Sequence, residues 1–168
     1  MVPVENVVHL FECLLAERRI ILAANKLGVV SNCITALTGL LYPLTWQHIF
    51  IPVLPDSLLA YCAAPMPFLV GAMKWSLKEI LSMPLEEVVI LDCDTGDFFK
   101  DHECRSLPQE LRSSLEQDLR RLVLSDRQGE PWPETASFQW PLPAALVSFL
   151  YSLPFFALSV THAVMWFS

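Results

Sequence analysis

The sequence has 168 residues, which is enough for one domain with a sizeable hydrophobic core and too short for two average ones. Hydrophobic residues make up 54% of the chain and charged residues 17%, so it is more apolar than an average soluble domain. The net charge of −7, with 11 Lys and Arg, argues against a nucleic-acid partner, because that partner needs a clustered cationic face.

Strands and helices are predicted to alternate along the first 92 residues. Apolar residues at helical spacing predict a helix over residues 4–15, and apolar content predicts a second helix over 27–41. Short helices are predicted over 56–61, with Asp56 as the N-cap, and over 75–81. Short apolar runs predict strands at residues 20–24, 49–53, 68–70 (ended by Gly71) and 88–92. This alternation predicts an α/β fold with a mostly parallel sheet that is covered on both faces.

The rest of the chain differs in character. Leucines recur every four residues at Leu107, Leu111, Leu115 and Leu119, which predicts one amphipathic helix. From Thr135 onward there is no charged side chain, and residues 144–167 hold 18 apolar residues in 24, enough to span a bilayer. All 11 Lys and Arg precede that segment. Because positively charged residues flank a membrane span on its cytoplasmic side, this distribution would leave the body of the chain in the cytosol.

The most specific candidate for chemistry is Asp92-Cys93-Asp94-Thr95-Gly96, which follows an apolar strand. It resembles the nucleophile loop of haloacid-dehalogenase-type phosphatases, in which two carboxylates attack phosphate and hold Mg²⁺. That loop has Thr or Val at the position of Gly96, and it also requires a lysine and a downstream acidic pair. A plain Asp-rich turn after a strand is the favoured interpretation, and a phosphatase-like enzyme using Asp92 and Asp94 is the alternative.

No other pattern points to catalysis or to a cofactor. The four histidines show no metal spacing, and the five glycines form no nucleotide-binding motif. The five cysteines are widely spaced without a CxxC pair, so neither a zinc site nor a disulfide framework is indicated. The N-terminus has no basic region of a signal peptide. We therefore expect a cytoplasmic protein with no metal, no cofactor and no catalytic residue.

Four long motifs carry a family resemblance. The motifs LLAERRIILAANKLG, LLYPLTWQHIFIPVLP, YCAAPMPFLVG and PLEEVVILDCDTGDF occur in the order of the central DENN domain. The resemblance covers residues 3–122, which we take as a partial DENN domain, and it is greatest to the connecdenn subfamily. Residues 123–168 are then a non-family extension, either disordered or a membrane-seeking helix.

The resemblance implies a function as well as a fold. Members of this family are guanine nucleotide exchange factors for Rab GTPases in clathrin-linked endocytosis and endosomal recycling. The family fold is a three-layer α/β lobe, which grips the switch regions of the GTPase together with an upstream longin-like lobe. Exchange proceeds by binding, without covalent chemistry, so the protein is not expected to be an enzyme in the covalent sense.

The motifs also suggest site residues. We expect partner contacts from polar and exposed positions of the motifs: Arg18, Arg19, Lys26, Gln47, His48 and Met66. We expect a framework role for the bulky and rigid residues of the same motifs: Trp46, Pro52, Pro55, Pro65 and Pro67.

Two departures from the family pattern affect the expected activity. The upstream lobe is absent, and the family's downstream helical lobe is replaced by the apolar tail, so we interpret the chain as a truncated or alternatively spliced product. Clathrin and adaptor contacts would come from regions absent here, and the chain alone should be weak or inactive. We expect it at the periphery of clathrin-coated vesicles or endosomes. A tail-anchored membrane protein is the third interpretation.

Overall fold

The computed structural model describes residues 2–42 and 44–127, and the chain divides into two compact units, residues 1–106 and 107–168. The first unit is built on a five-stranded sheet with the strand order β2-β3-β1-β4-β5. Its elements, in chain order, are α1 Val4–Leu15, β1 Arg19–Ala24, α2 Leu27–Gly39, β2 Ile49–Ile51, a 3₁₀ helix Asp56–Ala63, β3 Phe68–Met73, a 3₁₀ turn Lys74–Ser76, α3 Leu77–Ser82, β4 Val88–Asp92 and β5 Phe98–Lys100.

β1 is the central strand of the sheet. Ile21 pairs with Val70 of β3 on one side and with Ile90 of β4 on the other, both in parallel register. β2 is also parallel to β3, whereas β5 is antiparallel to β4. The predicted mostly parallel α/β sheet is therefore confirmed. Parallel strands need crossover connections of a dozen or more residues, and the helices of this unit supply them.

The two faces of the sheet are covered by different helices. Alternate side chains of a strand point to opposite faces, and one face places Ile21, Val70 and Ile90 in a buried cluster with Leu59 of the 3₁₀ helix and Ile80 of α3. On the other face α2 packs against β1 and β3, and α1 contacts α2. Helices on both faces of one sheet give the expected three layers.

Gly71 lies inside β3, so the prediction that it ends this strand was wrong. The strand continues to Met73 and is buried along its whole length. A Cβ atom at Gly71 would overlap the carbonyl oxygen of Pro52 and the side chain of Val30. The backbone after β2 also hydrogen-bonds here, since the Leu54 N–H donates to the Gly71 carbonyl at 2.7 Å. This glycine marks a close approach between backbones, not a strand end.

Two local predictions also need correction. Asp56 does not cap its helix, because its carboxylate accepts a hydrogen bond of 2.6 Å from the Ser76 hydroxyl and one of 3.4 Å from Trp75 Nε1. Residue Pro55 takes the N-cap position instead. The sequence interpretation also missed β5, whose three residues are too few to show an alternating pattern.

The second unit contains α4, Gln109–Arg127, at the place where the leucine spacing predicts an amphipathic helix. Ion pairs link Arg112 to Glu116 at 3.2 Å and Arg121 to Asp118 at 3.3 Å along the helix surface. The extension predicted from residue 123 lies mostly outside the described residues, and the apolar segment 144–167 lies wholly outside them. Within the part of the chain that the structure describes, no helix is long and apolar enough to cross a membrane. The domain boundary at residue 122 stays a prediction.

Candidate functional site

Five of the six predicted contact residues lie at one edge of the sheet, where the parallel strands begin. Arg18 and Arg19 stand at the start of β1, Gln47 and His48 precede β2, and Met66 precedes β3. We call this place the amino edge. The parallel register brings these positions together although they come from three separate segments of the chain.

Lys26 is the exception. It follows the last residue of β1 and therefore lies at the opposite edge of the sheet, the carboxyl edge. A strand rises about 3.3 Å per residue, so the six residues of β1 separate the two edges by roughly 20 Å. Lys26 is thus not part of the amino-edge cluster.

Glu17 occupies an unusual backbone position at the amino edge. The Glu17 N–H donates to the Leu14 carbonyl and the Arg18 N–H donates to the Cys13 carbonyl, both at 3.0 Å, which is the Schellman pattern that ends α1. Glu17 has a φ of 51°, the left-handed conformation for which glycine is usual at this position. A charged residue here costs backbone strain, and such strain often marks a functional site.

Glu87, just before β4, also has a positive φ, of 49°. Its carboxylate pairs with Arg18 Nη1 at 2.8 Å, while Glu17 Oε1 lies 3.1 Å from His48 Nε2. The second approach lacks hydrogen-bond geometry, so among the described residues His48 Nε2 and Arg18 Nε are buried atoms without a hydrogen-bond partner. An unsatisfied buried polar group costs about 1–3 kcal/mol.

The amino edge also presents exposed side chains. Met66 is 51% exposed although it is large and apolar, and Gln47 is exposed and donates to the neighbouring Thr45 carbonyl at 3.2 Å. Arg19 Nη1 donates to the Ala64 carbonyl at 3.4 Å, which places the guanidinium beside the segment that carries Met66. Charged, polar and apolar groups thus share one accessible surface.

Trp46 contacts two neighbouring residues at this edge, His48 and Ile49. Its Nε1–H donates to the Ile49 carbonyl at 3.1 Å, and its ring meets the ring of His48 edge to face, with the centroids 5.2 Å apart. The indole is half-buried, not fully enclosed. These contacts link the indole to His48 and to the first residue of β2, and the framework role of Trp46 stays a prediction.

The four framework prolines lie in the connections on either side of the 3₁₀ helix. The Pro52 carbonyl lies against Gly71, and Pro55 precedes the 3₁₀ helix. Pro65 and Pro67 stand between this helix and β3. Their fixed φ angles suit these extended connections, and their framework role stays a prediction.

A second polar cluster occupies the carboxyl edge. Lys74 Nζ lies 2.6 Å from Asp92 Oδ2 and 2.9 Å from Asp94 Oδ2. Asp94 Oδ2 also accepts from the backbone N–H and the side-chain amide of Asn25, at 3.0 and 2.8 Å. Sequence reasoning missed Lys74, because it is eighteen residues away from Asp92 in a different connection and becomes a neighbour only through the sheet.

The cluster is held by its own charges. Burial acts to raise the pKa of Asp92, but hydrogen bonds from Lys74 and from two backbone N–H groups outweigh it, so the pKa lies below its usual value. A hydrogen bond from Lys74 and, to a smaller degree, one from the Asn25 backbone N–H lower the pKa of Asp94. Hydrogen bonds from Asp92 and Asp94 raise the pKa of Lys74 in return. Both carboxylates are therefore ionised at neutral pH.

This geometry favours a structural turn over a phosphatase site. Both oxygens of Asp92 are engaged, Oδ2 with Lys74 and Oδ1 with the N–H groups of Asp94 at 2.9 Å and Thr95 at 3.4 Å. A nucleophile needs a free oxygen with access to substrate. Asp92 is 5% exposed, and the described residues contain no group of three or more side chains that could hold a metal ion.

Comparison with known proteins gives a consistent result. The family model of the DENN (AEX-3) domain matches residues 1–96. The chain is 40% identical over 131 residues to DENN domain-containing protein 1A of Homo sapiens, covering 76% of this chain and 13% of that protein. It is 42% identical over 128 residues to protein 1C of Mus musculus, covering 74% and 16%, and 40% identical over 121 residues to protein 1B of Mus musculus, covering 71% and 16%.

Proposed function

Because this chain belongs to the DENN domain family, we propose that it is part of a guanine nucleotide exchange factor that binds a Rab GTPase and promotes the release of GDP. The chain spans about 13–16% of the length of the three relatives described above. The setting that the family resemblance suggests is membrane traffic in endocytosis and endosomal recycling, at the periphery of clathrin-coated vesicles or endosomes. Clathrin and adaptor contacts would belong to other segments of such a protein.

The single observation that carries this proposal is the amino edge of the sheet. A protein partner is favoured because the exposed methionine and the arginines are residue types enriched at interfaces. The carboxylates of Glu87 and Glu17, whose side chains are 55% and 44% exposed, offer hydrogen-bond acceptors to a GTPase on the same surface.

The mechanism that fits such a site is binding without bond formation. An exchange factor holds its GTPase in a conformation that binds nucleotide poorly, and by linkage the nucleotide weakens binding of the factor to the same degree. No acid, base or nucleophile is required of the amino edge. Its task is to make contacts that favour one switch conformation over the other.

The experiment compares two exposed apolar residues at opposite edges of the sheet. Met66 at the amino edge is 51% exposed and Leu27 at the carboxyl edge is 56% exposed. We expect the chain to bind at least one nucleotide-free Rab in a panel, measured by biolayer interferometry, and Met66→Glu to weaken binding at least tenfold. Leu27→Glu is the matched control and should change the Kd less than twofold. Equal losses in both variants, or a larger loss at Leu27, would reject the amino edge as the binding surface.

A further inference from the structure

An uncharged stretch of the sequence forms one side of the sheet. Residues 27–55 contain no Asp, Glu, Lys or Arg, although the whole chain has 11 Lys and Arg and 18 Asp and Glu. This stretch holds α2 and β2, and β2 is an edge strand of the sheet. Leu27 at the start of α2 is 56% exposed, and Phe50 in the middle of β2 is 44% exposed. Exposed apolar side chains without neighbouring charges are typical of a surface that another molecule covers.

Phe50 lies on the face of the sheet that α2 covers. Ile49 and Ile51 pack against the buried cluster on the other face, and alternate residues of a strand point to opposite faces. On α2, the side chains of Val30 and Ile34 lie against Gly71 of β3, so they form the sheet-facing side of the helix. Phe50 is therefore next to α2, one strand beyond Gly71.

The flank of α2 that faces β2 carries Leu27, Ser31 and Thr38, which share it through their helical spacing. Crossovers between parallel strands are right-handed, and with that hand the right-handed helix turns this flank toward β2. Helix α1 is on the other side. It contacts α2, and its Asn6 Nδ2 donates to the Gly96 carbonyl beyond β4 at 2.6 Å. The flank toward β2 is therefore open to solvent at Leu27.

The polar groups of this flank are already satisfied within the helix. Thr35 Oγ1 donates to the Ser31 carbonyl at 2.8 Å, and Thr38 Oγ1 donates to the Ile34 carbonyl at 3.1 Å. Beyond the end of α2, Tyr42 is 62% exposed. We call the flank with Leu27, Tyr42 and Phe50 the α2–β2 surface. It offers apolar contact area and demands no charged partner.

We propose that the α2–β2 surface joins two copies of this chain in a two-fold symmetric dimer. A chain with a net charge of −7 repels its own copies, so contact between them is favourable only through a surface without charges. A charged group of another protein would lose its hydration here without gaining a counter-charge. A second copy brings the same uncharged surface by symmetry.

The shape of the surface suits this symmetry. α2 has 13 residues and is about 20 Å long, with Leu27 at its start and Tyr42 beyond its end. When two such helices pack antiparallel, Leu27 of each copy meets Tyr42 of the other. The residues between them on the flank are small, so the two helices can approach closely. Aromatic side chains such as Tyr42 and Phe50 are enriched at protein interfaces.

The opposite edge of the sheet provides the contrast. β5 is also a three-residue edge strand, and its middle residue, Phe99, is 49% exposed. Asp97 precedes this strand, Lys100 ends it and Asp101 follows it. Charged side chains at an edge strand oppose its association with another copy. The two edges share an exposed phenylalanine, and only the edge at β2 is uncharged.

The test is sedimentation velocity of the full chain over a concentration series, for the wild type, Phe50→Glu and Phe99→Glu. Both variants place a carboxylate at a half-exposed position of a three-residue edge strand, so their effects on folding should be similar. We expect a dimer in the wild type and in Phe99→Glu, and a dimer dissociation constant at least tenfold higher in Phe50→Glu. A monomeric wild type, or equal dissociation constants in the two variants, would overturn the proposal. So would larger assemblies that Phe50→Glu leaves unchanged.

Leu27→Glu gives a second test, on the helix. A carboxylate in the first turn of a helix interacts favourably with the helix dipole, so this variant should fold. Leu81→Glu, at a position of α3 that is 47% exposed, is the control. We expect the dimer dissociation constant to rise at least tenfold in Leu27→Glu and less than twofold in Leu81→Glu, and equal values would reject the α2–β2 surface. Leu27→Glu leaves the amino edge intact, so its affinity for a nucleotide-free Rab separates a failure of the dimer from a failure of the proposed GTPase site.

Discussion

Glu17 combines a strained backbone conformation with a contact at the candidate site. A helix that ends in a Schellman motif has its left-handed residue at this position, and glycine adopts that conformation without a steric penalty. The sequence has glutamate there, with its carboxylate 3.1 Å from His48 Nε2. Sequence reasoning placed Arg18 and His48 among the candidate contact residues, but it could not show the left-handed conformation of Glu17 and Glu87, since no sequence pattern reveals a positive φ at a residue other than glycine.

Replacement of Glu17 tests this strain directly. Glu17→Gly and Glu17→Ala both remove the carboxylate, but only glycine suits a φ of 51°. We expect the glycine variant to have the higher free energy of unfolding, by about 1 kcal/mol, in urea titrations. Glu86, whose φ is not positive, is the control, and there alanine should equal or exceed glycine. The same order at both positions would mean that the Glu17 backbone is not strained.

Lys74 should make stability depend on pH. Because the pKa values of Asp92 and Asp94 are lowered in the folded protein, their ionised carboxylates stabilise it. This contribution to the free energy of unfolding is full above about pH 4 and is lost as the pH falls through the folded-state pKa values. We expect Lys74→Met to lower the urea midpoint at pH 7, and the difference from wild type to shrink at pH 3. Lys78→Met, an exposed lysine of α3, is the control and should have little effect at either pH. A difference that stays constant down to pH 3 would contradict this account.

At the scale of elements, the sequence is most informative where burial alone decides the structure. The apolar runs of β1 and β4 and the helical spacing of α1 predict those elements almost to the residue. The sequence fails where a distant backbone decides, as at Gly71, which looks like a strand end until Pro52 is placed against it. Lys74 of the carboxyl-edge cluster was missed for the same reason, because it meets Asp92 only through the parallel register.

The close approach at Gly71 predicts a large effect from a single methyl group. Gly71→Ala should destabilise the protein by about 3 kcal/mol or more, because the new Cβ would overlap the Pro52 carbonyl and Val30. Gly28→Ala in the first turn of α2 meets nothing within 4 Å and should be neutral or stabilising by up to about 1 kcal/mol. Thermal unfolding of both variants checks this. Equal Tm values would show that β2 and β3 do not approach as described.

At the scale of the whole molecule, the identification as a DENN domain of the connecdenn type is confirmed by the family match and by the relatives. The four motifs carried this identification because each combines a strand with the connection next to it. The choice of contact residues stays a prediction. The sequence selected residues from both edges of the sheet, since the separation between Lys26 and the amino edge appears only in three dimensions.

The isolated polypeptide should bind a GTPase better than it activates one. The family resemblance implies that two lobes hold the switch regions, and a partner shifts an equilibrium only by its differential affinity for the two states. A chain covering 13% of the length of human protein 1A should supply only part of that difference in affinity between the two states of the GTPase. We expect little acceleration of mant-GDP release from any Rab in a panel. Rates approaching those of a full-length relative would show that this segment suffices.

We propose that nucleotide opposes the binding of a Rab GTPase to the amino edge of this chain. The most direct measurement is the equilibrium affinity of the chain for one Rab in its nucleotide-free and GDP-loaded forms, for the wild type and for Met66→Glu. We predict tighter binding of the nucleotide-free form by at least tenfold, with that preference reduced in Met66→Glu. Equal affinity for the two forms, or no binding to any Rab in the panel, would contradict the account.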